Sequence, residues 1–595
     1  MQRTLEQRLE QAQRVFVGLK EFPCIPEIGF MPVRKYSAGS EEDVLHRLIR
    51  EYQVLVVSGA FFGDEGKGKI VDAIARHPEI MMVMRANSGE NAGHTVEVDG
   101  VEYIFNLLPS GILIPEKLNL IGSECVMDPV SFMEKEVAQL VSRGKWHDNL
   151  FVGNVYITLP HHKLMDFLSK PPNSSTLKGI SEVHASKVRK RGIRLDHLFG
   201  PEEVLNSRLA KDVKEYFSML RSEGLREQEV IDRCEAMNAD GNKRFPDHIL
   251  KFAEAGRDAV TPQAALAAKV GFMKTIYKRF VVDNPYFPLR ADTRYMFRQG
   301  LKRGQKALIE CAQSYVLGNE NEKHWSSSTS ASTSAAGTMA SAAYNQPKHP
   351  TVTINIHKVP PSRVGRGANP IGLVPQTWFS DQGISTLDEL AGKCEDTDEI
   401  ERLYFSSVQD NGIFKPTVYK DKDGSELLVN EALAITWARK FGERGATTKK
   451  PRVLGFFDCV MHYEVNDVQG PYLSISAMDR LDDCDKVAVV VAYVYHDDKV
   501  VAMESNGRLY RNGEIIRPGD QLPSEQVLQY CHPVMKVIDG WKGSPISSKR
   551  RKLDEPLPTQ LQELIATIEH FTGAEVIAIG NGKSNKDMIY LRRAA

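Results

Sequence analysis

VLVVSGAFFGDEGKGK, residues 54–69, is the segment from which the fold of this chain is most readily inferred. Its apolar, β-branched start predicts a buried strand, and the glycines that follow predict a loop. Residues 70–75 continue with apolar positions at helical spacing. A strand, a glycine-rich loop and a helix in this order begin an α/β domain.

The loop Gly63–Lys69 has the composition of a phosphate-binding site. Its three glycines let backbone N–H groups approach an oxygen-rich ligand, and the N-terminus of the following helix favours negative charge. The register is not that of a Walker A loop, because Phe61 and Phe62 stand where that motif needs a glycine. Asp64 and Glu65 would repel phosphates unless they bind a metal or move a proton, so we expect one of them to be catalytic. The alternative is a hairpin or helix cap with solvated charges.

Further apolar runs predict the other strands, and they alternate with helical patterns. The runs are residues 81–84, 118–121, 152–158, 351–356, 472–476 and 487–495. This alternation predicts an α/β fold: a central, mostly parallel β-sheet flanked by helices, like the core of P-loop NTPases, with a helical subdomain and smaller additions.

The pattern of composition divides the chain into four parts. Residues 1–50 predict an N-terminal helical extension, 51–200 the first part of the nucleotide-binding core, 201–310 a helical subdomain, and 311–595 the second part of the core. The Ser/Thr/Ala-rich segment 326–343 predicts, by composition alone, a flexible linker. The basic residues 549–552 indicate either a nuclear-localisation patch or, as we favour, a solvated surface loop.

The overall composition restricts the class of protein. The chain has 595 residues, of which 42% are hydrophobic and 26% charged, as is typical of a globular protein with a large core. Its 76 basic and 77 acidic residues leave a net charge of -1, which predicts no nucleic-acid or membrane partner. The eight cysteines form no C-x-x-C pair, and no run of about 18 apolar residues appears. We therefore expect a cytoplasmic protein.

A second candidate site is the stretch Asn91–Thr95, which reads NAGHT and follows a predicted strand. A histidine beside a glycine at the end of a strand can meet a developing negative charge, and its ordinary pKa near neutrality suits proton transfer. Taken alone, such a loop histidine is more often an ordinary surface residue.

Together, GDEGKGK at 63–69 and NAGHT at 91–95 resemble the signature stretches of adenylosuccinate synthetases. The resemblance covers residues 52–592, and its other matching stretches are 107–112, 191–194, 312–313, 363–365, 444–448, 455–458, 478–482 and 540–542. It implies a ligase that joins L-aspartate to inosine monophosphate (IMP), with GTP as co-substrate and one Mg²⁺ per subunit. It also implies a homodimer.

The resemblance implies a reaction in two steps. A carboxylate removes the N1 proton of IMP, O6 attacks the γ-phosphate of GTP, and aspartate then displaces the phosphate. Asp64 matches this base and would bind Mg²⁺ together with the Gly93 carbonyl. His94 matches the acid that stabilises charge on the transferred phosphoryl group.

The resemblance also carries over three sets of binding residues. Those for GTP are Gly63, Asp64, Glu65, Gly66, Lys67, Gly68, Lys69, Gly93, His94, Thr95, Arg452, Asp479, Gly580, Asn581 and Gly582. Those for IMP are Asp64, Glu65, Gly66, Lys67, Asn91, Ala92, Gly93, His94, Thr176, Lys190, Gln313, Thr329 and Lys450. Those for aspartate are Ala446, Thr447, Thr448, Lys449, Lys450, Pro451 and Arg452.

Several matched positions depart from the family pattern. Lys190 stands where the family has an arginine lent by the neighbouring subunit, and Lys450 replaces an arginine of the aspartate loop, so both keep a charge but lose the planar guanidinium. Ala477 replaces a lysine, whereas Asp479 keeps the carboxylate that accepts hydrogen bonds from guanine. The loop 175–181 has lost two glycines.

Three other functions are compatible with these residues. The chain could be a paralogue that uses another purine monophosphate or amine donor. It could be a nucleotide-binding regulator without turnover, but the presence of both Asp64 and His94 disfavours this. The missing Walker A register disfavours a generic GTPase switch.

Overall fold

The computed structural model of the protein describes residues 4–19, 36–39, 41–98, 100–169, 176–239, 244–445, 449–551, 555–584 and 586–593. Its strands are β1 (Tyr36–Gly39), β2 (Val54–Gly59), β3 (Ile80–Gly89), β4 (His94–Val98), β5 (Val101–Phe105), β6 (Leu118–Met127), β7 (Leu150–Val152), β8 (Tyr156–Ile157), β9 (Leu289–Arg290), β10 (Lys306–Ser314), β11 (Thr351–Lys358), β12 (Val418–Lys420), β13 (Glu426–Leu428), β14 (Phe457–Asp458), β15 (Tyr472–Ser476), β16 (Lys486–Tyr495), β17 (Ala502–Ser505), β18 (Arg508–Arg511), β19 (Ile515–Ile516), β20 (Cys531–Asp539), β21 (Glu575–Gly580) and β22 (Met588–Arg593).

The α-helices of the described residues are α1 (Leu5–Leu19), α2 (Glu41–Glu51), α3 (Lys67–Arg76), α4 (Pro129–Ser131), α5 (Ala138–Ser142), α6 (Pro160–Ser169), α7 (Ile180–Val188), α8 (Glu202–Ser222), α9 (Glu227–Asn238), α10 (Asp247–Glu254), α11 (Pro262–Tyr277), α12 (Thr293–Lys302), α13 (Ala335–Ala342), α14 (Trp378–Asp381), α15 (Thr397–Ser406), α16 (Val429–Lys440), α17 (Cys459–Gln469), α18 (Glu525–Leu528) and α19 (Thr559–Thr572). No helix among these residues is both long enough and apolar enough to cross a membrane.

The largest sheet of the described residues has twelve strands in the order β1-β22-β21-β15-β11-β2-β10-β3-β6-β7-β9, with β8 also paired to β6. All neighbours from β21 to β9 run parallel, and β22 is antiparallel to both β1 and β21. The prediction of a mostly parallel central sheet is therefore confirmed.

Strand β2 lies inside this sheet and is buried on both faces, as a parallel strand covered by helices must be. Leu55 and Val57 pack with α2 and α3, whereas Val54 and Val56 pack with α12 and α13. This period-two alternation follows from strand geometry. Because the glycine-rich loop follows the end of β2, it lies at the carboxyl edge of the sheet, where α/β folds bind ligands.

A helical body lies between β8 and β9. Helices α8–α11 lie within residues 202–277, and their apolar faces form one core with α6, including Leu209, Tyr216, Phe252 and Met273. The chain then returns to the central sheet at β9 and β10. The division of the chain at residues 50, 200 and 310 stays a prediction.

Residues 487–495 do form a strand, but not one of the central sheet. They belong to β16, which pairs antiparallel with β20 and β19 and parallel with β14 in a separate four-stranded sheet. A continuous apolar run indicates burial on both faces without identifying the partner strands. The expectation that this run adds to the central sheet was wrong for that reason.

The linker prediction for residues 326–343 is wrong, because this segment contains α13. The Ser334 hydroxyl caps the helix by accepting a hydrogen bond from Gly337 N at 3.0 Å. Ala335 and Ala342 are buried against the sheet. A composition of small residues is typical of flexible segments, but here the small side chains allow the helix to lie close to the strands.

Among the described residues of the N-terminal region, strand β1 is not predicted by the helical pattern. Helices α1 and α2 agree with that pattern, but β1 pairs with β22 and forms an edge of the central sheet. Its sequence, YSAG, has too few β-branched residues to indicate a strand. Arg8 of α1 lies 2.8 Å from Glu431 of α16, so the N-terminal helix is anchored to the rest of the protein.

Candidate active site

The glycine-rich loop is organised around Glu65. Its fully buried carboxylate accepts hydrogen bonds from Phe61 N at 3.2 Å, Gly63 N at 2.8 Å and the Ser314 hydroxyl, and Lys67 Nζ lies at 3.0 Å. Burial raises the pKa of Glu65, but Lys67, Ser314 and Gly63 together hold it below its usual value. Glu65 is therefore an ionised carboxylate whose hydrogen bonds are already made within the protein, and these bonds hold the loop in shape.

Asp64 has the opposite environment and is the better candidate for proton transfer. Its side chain remains 35% exposed and is paired with Arg452. Burial raises the pKa of Asp64, but Arg452 and Lys358 outweigh this and hold it below its ordinary value. Asp64 also has a positive φ of 52°, a left-handed conformation that aspartate adopts more readily than most residues other than glycine. The carboxylate is thus ionised and reachable by a ligand.

The N-terminus of α3 opens directly behind this loop. Its N-cap residue is Gly66, whose φ of 80° is left-handed and which has no side chain to cap the first amides. The first turn of a helix carries unsatisfied N–H groups and a partial positive charge. This end of α3, together with Lys67, can therefore bind phosphate oxygens.

His94 lies in a buried polar group that sequence reasoning did not identify. Its Nε2 is 3.5 Å from Glu310 Oε1, and the same oxygen accepts a hydrogen bond from Arg85 Nη1 at 3.0 Å. The other oxygen of Glu310 accepts one from Ser110 N at 2.9 Å. Burial, with a further contribution from Arg85, lowers the pKa of His94 to about 4, although Glu310 opposes the shift. The imidazole is therefore neutral before a phosphate enters.

Two of the expected IMP ligands lie together. Asn91 Nδ2 donates a hydrogen bond to Thr329 Oγ1 at 3.2 Å, which brings the Ser/Thr-rich segment to the NAGHT stretch. Asn91 Oδ1 and Gln313 Oε1 are buried and have no hydrogen-bond partner within the described residues. Thr176 is exposed, as is Lys190, which follows α7 with a φ of 59°. Asn91 and Gln313 therefore offer unused polar atoms to a ligand, and Thr329 lies beside Asn91.

The expected aspartate loop is only partly described, because Ala446, Thr447 and Thr448 lie outside the described residues. Of Thr95, a GTP candidate, only the backbone is described. A turn joins the ends of this loop, with Gly445 N donating to Lys450 O at 2.9 Å and Lys449 N to Gly445 O at 2.9 Å. Pro451 bridges back to Arg444. This turn directs Arg452 to Asp64.

Glu443 is the shared partner of three cations near the candidate site, Lys358, Arg480 and Arg452. Its carboxylate accepts hydrogen bonds from Lys358 Nζ at 2.7 Å, Ser362 Oγ at 2.8 Å and Arg480 Nη1 at 2.9 Å, and Arg452 Nη1 lies at 3.7 Å. Burial raises its pKa, but these three cations hold the pKa of Glu443 well below the usual range. The motif match contained Arg480 and Arg452 but gave no reason to single out Glu443 or Lys358.

The remaining GTP candidates surround Asp479. This residue lies in the 3-10 turn Met478–Leu481 after β15, and burial raises its pKa while Lys69 opposes the shift. Lys69 Nζ donates to Gly582 O, whereas Lys67 Nζ donates to Glu65 Oε2 at 3.0 Å. Ser476 Oγ donates to Glu65 O at 2.5 Å and ties the end of β15 to the glycine-rich loop.

The donor types of Asp64 and Gly93 fit a magnesium ion. The ionised carboxylate of Asp64 and the backbone carbonyl of Gly93, an exposed residue, are the hard oxygen donors that Mg²⁺ prefers. Among the described residues, no group of three or more His, Cys, Asp or Glu side chains could hold a metal. The donors present therefore suit an ion that takes its other ligands from phosphate and water, as Mg²⁺ commonly does.

We expect Glu443→Gln to lower the free energy of unfolding by about 3 kcal/mol, because it leaves three buried or half-buried cations without their shared carboxylate. Urea denaturation measures this change. The matched control, Asp539→Asn, removes an exposed partner of Lys486 and should change stability by less than about 1 kcal/mol.

The effect of Glu443→Gln should also depend on pH. Since folding lowers the pKa of Glu443, its contribution is present above the ordinary glutamate pKa of about 4.3 and is lost as the pH falls. The difference in stability between wild type and variant should therefore shrink in acid. An equal difference at all pH values would contradict this account.

Comparison with known proteins identifies the family. The family model described as "Adenylosuccinate synthetase" matches residues 56–260 and 241–589. An adenylosuccinate synthetase of Trypanosoma brucei gambiense is 50% identical over 586 residues, which is 97% of this chain and 95% of that protein. One of Leishmania braziliensis is 47% identical over 98% of this chain and 82% of that protein. With so little of the chain unmatched, these relatives also share most of residues 1–50.

A solved structure shares the fold at much lower identity. The structure of a fully ligated adenylosuccinate synthetase from Plasmodium falciparum has a TM-score of 0.59 and 21% identity, and the match covers 90% of this chain and 99% of that one. The family model and the relatives at about half identity show that the chain belongs to the adenylosuccinate synthetase family, whose members are ligases that form a carbon–nitrogen bond.

Proposed function

We propose that the chain ligates L-aspartate to IMP at the expense of GTP and so produces adenylosuccinate, GDP and phosphate. The observation that carries this proposal is the pair of unlike carboxylates in one loop. The Glu65 carboxylate already makes hydrogen bonds and an ion pair within the loop, whereas Asp64 is ionised, partly exposed and paired with Arg452. A purine N–H close to Asp64 would meet an available base.

In the first step, Asp64 takes the N1 proton of IMP. The electron pair moves to O6, which attacks the γ-phosphorus of GTP, and the bond from that phosphorus to the β-phosphate oxygen breaks to release GDP. In the second step, the amine of aspartate attacks C6, the C6–O6 bond breaks, and phosphate leaves with the original O6. The surplus amine proton passes to solvent or phosphate.

The charge that develops on the transferred phosphoryl group needs nearby donors. The free amides at the start of α3, Lys67 and the His94 imidazole supply them in our proposal. The arriving phosphate favours a protonated His94 and opposes the desolvation that keeps the ring neutral. Mg²⁺, held by Asp64 and the Gly93 carbonyl, would supply neutralising charge for the phosphates.

The substrates would bind around this centre. Asn91, Gln313 and Thr329, with unused polar atoms or a shared contact, suit the IMP nucleotide, and we assign Thr176 to it as well. Residues 446–452 would bind aspartate. Asp479 and residues 580–582 would bind guanine. We further propose a homodimer in which Lys190 reaches the IMP of the neighbouring subunit.

We also propose that the reaction takes place in the cytoplasm. The support is chemical: the seven cysteines within the described residues are all buried free thiols. Free thiols in this number are typical of reducing compartments.

The direct test is turnover by the purified protein. With GTP, IMP, aspartate and Mg²⁺, we expect adenylosuccinate, GDP and phosphate in equal amounts. Product only with a different purine monophosphate or amino acid would replace this proposal with that of a paralogue. GTP binding without any phosphate release would instead indicate a regulator.

Asp479→Asn should raise KM for GTP by about 10- to 100-fold, since an amide directed at guanine N–H groups leaves donors unpaired at a cost of about 1–3 kcal/mol. Steady-state kinetics with varied GTP measures the change, and KM for IMP should stay the same. Asp485→Asn, an exposed neighbour, is the control. An unchanged KM for GTP in the Asp479 variant would remove this residue from the guanine site.

A further inference from the structure

Within the basic stretch 549–552, Arg550 is paired with two carboxylates. Arg550 Nη1 lies 2.7 Å from Asp483 Oδ1, and its Nη2 lies 3.1 Å from Asp482 Oδ2. Arg550 is half-exposed, with 44% of its side chain accessible, whereas the Asp482 side chain is fully buried. Carboxylates are rarely fully buried unless they are paired, so the pair of Asp482 with Arg550 indicates a structural role for this arginine.

Asp482 organises the segment that leads to Arg550. Its Oδ1 accepts hydrogen bonds from Trp541 Nε1 at 2.8 Å and Ile546 N at 2.9 Å, and its Oδ2 accepts one from Ser547 N at 2.9 Å. With Arg550, four donors converge on one carboxylate. Such a network keeps a buried charge satisfied and fixes the backbone that supplies the donors.

The proposed guanine site has two sides, Asp479 on one and residues 580–582 on the other. The segment 546–548 contacts the second of them. Ser548 N donates to Asn581 O at 2.8 Å, and Asn581 Nδ2 donates to Ile546 O at 2.9 Å. Asp482 itself caps the turn Met478–Leu481 that contains Asp479. Asp482 thus links the turn of Asp479 to the backbone that contacts Asn581: its own N–H donates to Asp479 O at 3.2 Å, and its carboxylate holds Ile546 and Ser547.

We propose that Asp482 and Arg550 are positioning residues that determine selectivity for the base of the nucleoside triphosphate. They hold residues 546–548 against Asn581 and so fix the spacing between Asp479 and residues 580–582. This inference rests on the proposed function, which puts guanine between these two sides. Arg550 acts by offsetting the charge of Asp482 and by fixing the end of the segment.

The test compares Arg550→Ala with Lys549→Ala, which removes a neighbouring charge that is not among the contacts of Asp482 described above. For Arg550→Ala we expect KM for GTP to rise about 5-fold, as loss of an interaction worth about 1 kcal/mol requires. The ratio of kcat/KM for GTP over that for ATP should fall by a similar factor. The value of kcat and the KM values for IMP and aspartate should not change. Arg550→Lys, which keeps one point charge, should restore part of the effect.

Two results of the kinetic comparison would overturn this inference. One is an Arg550→Ala variant with the same KM for GTP and the same GTP-over-ATP ratio as Lys549→Ala. The other is an equal loss for all three substrates, which would indicate a general structural defect. If the wild type forms no adenylosuccinate, the proposed function fails separately, and calorimetry with GDP then decides. Weaker GDP binding by Arg550→Ala than by Lys549→Ala would still support the inference, and equal binding would refute it.

Discussion

Asp64→Asn should lower kcat by about 10³-fold, because an amide of the same shape cannot take the N1 proton of IMP. Steady-state turnover at saturating GTP, IMP and aspartate measures the loss. The free energy of unfolding should change by no more than about 1 kcal/mol, since the contact of Asp64 with Arg452 is partly exposed. The effect would then be one on catalysis and not on folding.

Glu65→Gln is the informative comparison for that variant. Glu65 is buried and accepts several hydrogen bonds that shape the loop, so its replacement should reduce the free energy of unfolding by about 1–3 kcal/mol. If Asp64→Asn kept near-normal turnover, Asp64 would not be the base. If the Asp64 variant were the less stable of the two, our division of roles between the two carboxylates would be wrong.

His94→Asn should reduce kcat by about 10²- to 10³-fold, which is the usual cost of removing one donor from developing negative charge. The ring sits beside Glu310 and Arg85 in a buried site, so solvent cannot readily replace it. KM for GTP should change little, because the interaction strengthens as the phosphoryl group is transferred. Rapid-quench measurement of GDP formation isolates this step.

The matched control for His94 is His570→Asn, which changes an exposed histidine far from the loop in sequence. Its kcat should equal that of the wild type. A His94 variant with unchanged kcat and a raised KM would make His94 a binding residue only. It would also leave the charge on the phosphoryl group to α3 and Lys67.

The sequence predicts the parts of the site that are local. Strand β2, the loop around Asp64 and helix α3 follow one another without interruption, so apolar pattern and glycine spacing are sufficient to predict them. The mostly parallel sheet follows from the alternation of strands and helices. These features depend on residues close together in the chain.

Long-range contacts could not be predicted in the same way. Glu310 reaches His94 from β10, a strand whose start, KALIEC, includes two charged residues and which no apolar run indicates. Glu443 meets Lys358 across 85 positions of the chain. A single charged residue in a sequence is interpreted as a surface residue until its partner is known. The only sequence signals for these two residues were that Glu310 lies within an otherwise apolar stretch and that Glu443 lies next to a motif.

Residues with small side chains misled the composition analysis for a different reason. Ser334 and Ala335 are typical of linkers, yet they begin α13, which packs on the central sheet. Whether such residues pack or remain solvated depends on the surface that faces them. That surface is built by strands elsewhere in the chain.

The central claim is that O6 of IMP attacks GTP after Asp64 has removed the N1 proton, and the fate of the O6 oxygen tests it most directly. IMP labelled with ¹⁸O at position 6 is converted with GTP and aspartate, and the released phosphate is analysed by mass spectrometry. Our account predicts that each phosphate carries the label. Adenylosuccinate formed together with unlabelled phosphate would contradict it.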